Sequence, residues 1–213
     1  MLDSRIEKWR SWLLDRIAPQ VYTAHLHRQV FRELSRITQA ADLPPSYFFE
    51  YSGETYATSQ ALAIRRLADP NTRAVSLVRL LREMAADPTR LSRRFYVAMF
   101  EDLPSYVGDR AFTRTFAGQA GNYADPALIE RDVDALNEGA SKVKRYVDQH
   151  VAHADARARA AIPTFEDLNG AVDLIAALYR KYYNLLTADD ILVEPVLDPN
   201  WIAVFRVPWI DSD

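Results

Sequence analysis

Apolar residues recur along this chain at steps of three and four almost everywhere, and that spacing predicts helices. Ile6, Trp9, Leu13 and Ile17 mark a first helix, expected to stop at Pro19. A second runs from about Val21 to Ala40, with Val30, Leu34 and Ile37 on one face, before "DLPPS" ends it. The segment "YFFEYSGETYATSQALAIRRLADP" reads as extended at its aromatic start, as turning at Gly53, and as helical from there to Asp69. Helices are expected next at about Thr72 to Ala86 and Pro88 to Phe100, the latter with proline in its first turn. Residues 101–124 have no clean period and hold three of the six glycines, so they read as a long connection or a mobile lid.

Two long helices follow. Asp125 is an acidic N-cap with Pro126 at the first helical position, and Ile129, Val133, Leu136, Ala140, Val143 and Val147 step by four and three in a heptad seam. Thr164 with Asp167 three residues on is a near capping box, and Phe165, Leu168, Val172, Ile175, Tyr179, Tyr182 and Leu186 form a second seam. The ten residues "ADARARAAIP" between them permit an antiparallel hairpin, with the two seams packed in a left-handed bundle at a crossing of about +20°. The tail "ILVEPVLDPNWIAVFRVPWI" reads either as a short β-hairpin around Asp198-Pro199-Asn200 or as an extended segment packed through Trp201, Phe205 and Trp209. The expected fold is all-α, a helical bundle centred on two long antiparallel helices. It is read as one domain over 1–213: N-terminal helices 3–100, connection 101–124, helix 125–153, second long helix 164–187 and tail 188–213.

Composition adds exclusions. A chain of 213 residues, 49% hydrophobic and 26% charged, has the make-up of a soluble globular protein. No uncharged apolar run approaches the length of a membrane span, and the charged start "MLDSRIEKWRSWLLDRIAP" is unlike an export signal, so a cytoplasmic protein is expected. Zero cysteines exclude disulfides, thiolate metal sites and sulfur nucleophiles. The net charge of -3 is unevenly spread: residues 1–124 carry 17 Lys+Arg against 13 Asp+Glu, and residues 125–213 carry 9 against 16. Eight arginines fall between Arg65 and Arg94, and arginine's planar fork suits phosphate. Arg65, Arg66, Arg73 and Arg79 are the candidate nucleic-acid contacts. The alternative is a set of solvated helix faces laced with their own acids.

The chemistry concentrates in "RYVDQHVAHAD", Arg145 to Asp155. Continuing the seam from Val147 by three lands on His150, at the edge of the buried stripe. Measured from Arg145 on an ideal wheel, Asp148 lies at about -60°, Gln149 at about +40°, Ala152 at about -20° and His153 at about +80°. An arginine, an acid, an amide and a histidine thus share one polar face, a set suited to a phosphodiester, with a cation for the phosphate and an imidazole for proton transfer. On this reading His153 handles the proton and His150 packs.

These residues resemble the active-site region of the HEPN superfamily, and within it the abortive-infection AbiU-type HEPN-like proteins. Comparable runs are "TYATSQALAIRRLADP", "SLVRLLREM", "YVDQHVAH", "RKYYNLLTA" and "NWIAVFRVPWI", in order over roughly Val21 to Ile210. The resemblance implies a helical bundle that cleaves or binds RNA, as a homodimer with the motif helices of both subunits lining one cleft. Its pattern is an arginine, often followed by a polar residue, then about four to six residues, then a histidine, commonly as Ala-His. Ala152-His153 fits the end of that pattern. Asp148 stands where the arginine of the arginine-polar-x-x-Ala-His version belongs, with Gln149 as its polar neighbour. Arg145 to His150 has the four-residue spacing, with Tyr146 where a polar residue is common, and it requires His150 to leave the seam. The catalytic candidates are therefore Arg145, Asp148, Gln149, His150 and His153.

The resemblance further implies attack by the ribose 2′-hydroxyl on the adjacent phosphate, with histidine as base or acid, arginine on the phosphate charge and no cofactor. The RNA would be tRNA or mRNA, the setting phage defence or a toxin, and the partners a second copy across a two-fold axis near Ala152 and an antitoxin or defence component. The rival is a non-catalytic RNA-binding or protein-interaction module, favoured by Asp148. Other constellations carry less. His25 and His27 lie about 200° apart on a helix and cannot share a metal there. His150, His153 and Asp155 can share a face, but no matching second pair accompanies them, so no metal is expected. Gly118-x-x-Gly121 lacks the lysine and hydroxyl of a phosphate loop.

Overall fold

The computed structural model describes residues 3–40, 46–100, 103–117, 121–151 and 161–207, which form eight α-helices and no β-sheet. These are α1 (Ser4–Ser11), α2 (Ala18–Ala40), α3 (Tyr47–Leu67), α4 (Leu77–Ala86), α5 (Arg93–Val97), α6 (Ser105–Phe112), α7 (Pro126–Tyr146) and α8 (Phe165–Thr187). An isolated antiparallel bridge joins Ser92 and Tyr123. No helix among the described residues is long and apolar enough to cross a membrane.

Apolar burial explains the long helices. Every seam residue of α7 from Ile129 to Val147 is buried, and so are Leu168, Val172, Ile175, Tyr179, Tyr182 and Leu186 of α8. At roughly 1.5–3 kcal/mol for each large side chain fully removed from water, this seam is a main source of fold stability. Its polar edge fixes direction. Asp132 accepts from Lys181 Nζ at 2.6 Å and from the Tyr182 hydroxyl at 2.7 Å, while Lys142 pairs with Asp167 ten residues further along α7. As contacts advance on α7 they retreat on α8, so the two run antiparallel. Burial, and then the hydrogen bond to Asp132, pushes the Tyr182 hydroxyl far above its ordinary value. The same test makes α2 and α3 antiparallel, through His27 with Ser59 and Phe31 with Tyr56, and α3 and α7 antiparallel, through Arg65 with Asp148 and Lys144 with Ala68. Helix α4 lies along α7 and buries Leu77, Val78, Leu80, Leu81 and Met84 completely.

Capping follows the sequence signals. Asp3, Ser76, Ser92 and Asp125 each accept a backbone N–H in the first turn of their helices, and Thr164 with Asp167 closes a complete capping box. Three bonds to the Asp167 carboxylate, led by Lys142, lower its pKa to about 2.

The structure departs from the pattern reading in six places. Pro19 does not end a helix: Ser4 to Ala40 is continuous through a π-helical segment, Trp12–Ile17, just before it. A widened turn there relieves the clash that a proline ring makes with the carbonyl four residues back. The aromatic start of "YFFEYSG" is helical rather than extended. Gly53 continues α3, and a Cβ there would meet only the Phe165 ring, at 3.9 Å. Thr72 to Val75 precede α4 as a turn. Pro88 to Phe100 is a 3₁₀ turn followed by the short α5. The described part of residues 101–124 is not a bare connection, because it contains α6 and a π-helical segment, Thr113–Ala117; Phe112 of α6 packs tilted, and Phe116 edge-on, against the buried Tyr96. The tail forms no hairpin among the described residues. Asp198 caps a 3₁₀ helix, Pro199–Arg206, since aspartate followed by proline opens a helical turn as readily as it closes a β-turn. Trp201 and Phe205 meet edge to face within it, and Trp209 lies outside the described residues.

Helix α8 ends on Ala188 with φ 57°, a left-handed conformation that a side chain disfavours by about 1–2 kcal/mol. Ala188→Gly should therefore raise stability by a net amount of about 0.5–1 kcal/mol, after glycine's extra unfolded-state freedom is subtracted. A thermal melt would show it as a rise of a few degrees. An unchanged or lower midpoint would mean that the Asn184 contacts to Ala188 and Asp189 already absorb the strain.

Candidate functional site

The C-terminal end of α7 runs directly into a π-helical turn, Val147–Val151. Residues of a π turn advance by less than an α-helix's 100° each, so the heptad stripe does not continue past Val147 in its α register. His150 is consequently exposed, not at the edge of the buried stripe, and its ring stacks on Tyr146 with centroids 5.2 Å apart. Arg145 and Asp148 are exposed and Gln149 is half-buried. The structure thus brings Arg145, Asp148, Gln149 and His150 to one helix end. His153 and Ala152 lie outside the described residues.

The neighbouring wall is the C-terminal end of α3. Arg65 Nε donates to Asp148 Oδ1 at 2.9 Å, and its Nη1 lies 3.2 Å from Asp69 Oδ2. The hydrogen bond to Asp148 is the largest cause that raises the pKa of Arg65 and holds its charge. Lys144 Nζ donates to the Ala68 carbonyl at 3.1 Å, a cation on the negative end of a helix. Burial, then the Arg65 charge, lowers the pKa of Lys144, with Asp69 and Asp148 acting against that shift. Two cations and two carboxylates therefore interlock across the α3 and α7 ends. Arg66 and Arg73, both exposed, flank this cluster in sequence.

Arg79 is not part of it. Its guanidinium donates to the Ala74 carbonyl at 2.7 Å, reaches Glu83 and lies 4.3 Å over the Trp12 ring, so it serves the packing of α4 on the N-terminal helix. The hydrophobic pattern could not separate Arg79 from Arg65, since the difference lies in which neighbouring helix each side chain meets.

The other two histidines sit apart from this end. His25 is buried; Arg28 Nη2 donates to its Nδ1 at 3.1 Å, which leaves the proton of the neutral ring on Nε2. Arg28 is itself buried and paired with Asp173 at 2.5 Å. This α2–α8 ion pair was invisible in the sequence, because its partners are far apart along the chain. His27 Nδ1 lies 2.8 Å from the Ser59 hydroxyl. Among the described residues no group of three His, Asp or Glu side chains is arranged to hold a metal.

Burial, then Arg28, depresses the pKa of His25 below its ordinary 6.5, with Glu194 and Asp173 opposing. The unfolded chain then binds a proton near pH 6.5 that the folded chain refuses, so stability is full above that pH and falls as pH drops through it. Urea unfolding between pH 7.5 and 5 should show this loss, and His25→Leu should flatten it. An equal slope in both proteins would assign the dependence to other groups.

No curated protein and no solved structure matches the chain. A family model does match, that of the HEPN AbiU2 proteins, over residues 6–198. The match spans the antiparallel α7–α8 pair, the paired ends of α3 and α7 and the Arg145 to His150 segment together, and the chain belongs to the AbiU2 family of HEPN proteins, a family tied to abortive-infection defence.

Proposed function

We infer that this protein is a metal-independent endoribonuclease of phage defence, working at the joined ends of α7 and α3. The observation that carries the reading is the exposure of both Arg145 and His150 at the end of α7, beside the end of α3 that carries Arg65 and Arg66. In the reaction, a ribose 2′-hydroxyl attacks the adjacent phosphorus, the P–O5′ bond breaks, and a 2′,3′-cyclic phosphate and a 5′-hydroxyl are left. His150, or His153 beyond the described residues, takes the proton from the 2′-hydroxyl. A second imidazole returns one to the leaving oxygen. Arg145 faces the developing phosphate charge, and Arg66 guides the strand by its charge.

Each chain has one such helix end, so a homodimer that pairs the two ends supplies the second imidazole. A toxin role, with an antitoxin that masks this end, belongs to the same reading.

Asp148 favours a second reading. Its carboxylate occupies Arg65, where a nuclease would leave a guanidinium open to phosphate, and a non-catalytic RNA-binding or protein-interaction module needs no open guanidinium.

Purified protein should cut tRNA or a structured mRNA in the presence of a chelator, and Arg145→Ala or His150→Ala should slow cleavage by roughly 10²–10⁴. Because His150 is exposed, His150→Ala should leave the melting temperature within about a degree. His153→Ala, assayed beside it, decides which imidazole moves the proton. Intact RNA with wild-type enzyme would leave the binding-module reading.

Asp148→Asn separates the readings further. Removing the Asp148 charge leaves Arg65 with Asp69 as its one charged partner among the described residues, and should tighten RNA binding several-fold and steepen its salt dependence by about 0.7 for one added phosphate contact. If Asp148→Asn instead weakens binding, the carboxylate positions Arg65 for the RNA rather than shielding it.

A further inference from the structure

The α2–α3 pair carries an apolar surface that the α7 end does not use. Two hollows of about 390 and 400 Å³ meet at Leu34, which lines both. The lower one is set between Ile37 of α2, Phe48 and Phe49 of α3, and Phe205 and Val207. The upper one continues between Val30 and Phe31 of α2 and Tyr51 and Thr55 of α3. Leu26, Val30 and Leu34 follow at steps of four and Ile37 and Thr38 extend the row, so one face of α2 walls a single furrow. From His27 to Thr38 the furrow is about 16 Å long, at 1.5 Å per residue. The 2.8 Å contact of His27 Nδ1 with the Ser59 hydroxyl ties its two walls together at the upper end.

The furrow is aromatic and only partly covered. Phe31 and Tyr56 stack in it with centroids 4.2 Å apart, and Phe165 lies against both rings. On the rim Tyr51 is 67% and Phe48 47% exposed, and a row of large apolar side chains open to water calls for a cover. Part of that cover is the 3₁₀ helix Pro199–Arg206, which brings Phe205 into the lower hollow. Val207 follows it into the same hollow with an extended backbone, φ -114° and ψ 141°, the conformation favoured before a proline. Along an extended chain, side chains two residues apart point to the same side, so the residue that shares the side of Val207 is Trp209. Pro208 to Asp213 lie outside the described residues.

Reach and chemistry name the occupant. Two extended residues span about 7 Å, and the step from Leu34 to Val30 is about 6 Å, so an indole at position 209 reaches the upper hollow from Val207. We propose that Trp209 docks in the upper hollow, among Val30, Leu34 and Tyr51, so that the furrow is a docking groove filled by this chain's own tail. No Asp, Glu, Lys or Arg lines either hollow, which suits an uncharged aromatic side chain. The hydroxyls of Ser52 and Thr55 at the upper hollow can accept the indole N–H, the one polar group that a buried tryptophan has to place. Docked in this way, the tail clamps α2 to α3, the helix whose other end presents Arg65 and Arg66. The inference does not depend on the RNA reading of the α7 end.

Photo-crosslinking of the full chain tests the docking. With p-benzoylphenylalanine in place of Trp209, a large aromatic side chain is kept, and irradiation joins it to the C–H groups it touches. Mass spectrometry of the digested product should find position 209 linked, within one chain, to the segment that holds Val30 and Leu34 or to the one that holds Tyr51. Thr55→Trp, at an exposed position, fills the hollow and should reduce that product several-fold. Trp209→Ala should raise the fluorescence of added anilinonaphthalene sulfonate several-fold by uncovering the furrow, and Thr55→Trp in the same chain should reverse the rise. Should Thr55→Trp lower the melting temperature, the crosslink map decides alone. A covalent dimer through these residues would assign the furrow to a second copy and overturn docking within the chain. Crosslinks confined to other helices, or none at all, would overturn it as well and leave the furrow to a separate partner.

Discussion

The antiparallel packing of α7 on α8 is the constraint from which the rest of the molecule takes its geometry. An apolar stripe from Ile129 to Val147 has to be covered along its whole length, and α8 and α4 cover it. That leaves α3 beside the C-terminal end of α7, where the stripe stops and the polar residues begin. The π-helical turn at Val147–Val151 releases the chain from the seam at that point, so that His150 turns to solvent and to Tyr146 instead of into the core. A strict α-helical continuation would have buried the imidazole at the edge of the seam.

Charge is distributed by the same packing. Arg5, Arg28, Arg36, Arg65, Arg79, Arg90, Arg93 and Arg180 each meet a carboxylate. Most of these pairs are partly exposed and individually worth about 0–1 kcal/mol, so their effect is to orient side chains more than to stabilise the fold. Arg28 differs, because it is buried against His25 and Asp173, and loss of one partner there would strand a charge in the core. The exposed arginines outside such pairs include Arg66, Arg73 and Arg145 near the α3 and α7 ends, and Arg110 and Arg114 on α6. Among the acids of the second half, Asp132, Asp148, Asp167, Asp173 and Asp190 are each paired with a cation.

Local chemistry decided a good deal in advance. Side-chain spacing named the α7 seam and nearly all of the α8 seam without error, and the caps at Asp125 and Thr164 fall where the residue types put them. Phe165 is the exception, exposed at the start of α8 and drawn to Phe31 and Tyr56 on the α2–α3 pair. Proline and glycine misled more than any other signal. Pro19 and Gly53 both sit inside helices, because a π-helical segment absorbs the one and an open neighbourhood accepts the other. Three glycines and a broken period concealed α6, whose inward residues are spaced regularly but start from a glycine and not from a large apolar side chain.

What the sequence by itself determined is the helical class, the two long seams, the segment in which arginine and histidine gather, and a resemblance that the family match bears out, since each depends on residue type and short-range spacing. What only the tertiary structure decided is which groups meet. Arg65 finds Asp148 across 83 positions of chain, Arg28 finds Asp173 across 145, and Arg114 comes to share a groove with Arg180. A pattern three or four residues long carries no information on such pairs, because the partner of a surface cation is set by the helix packed beside it, and that packing is chosen by the apolar faces rather than by the charges themselves.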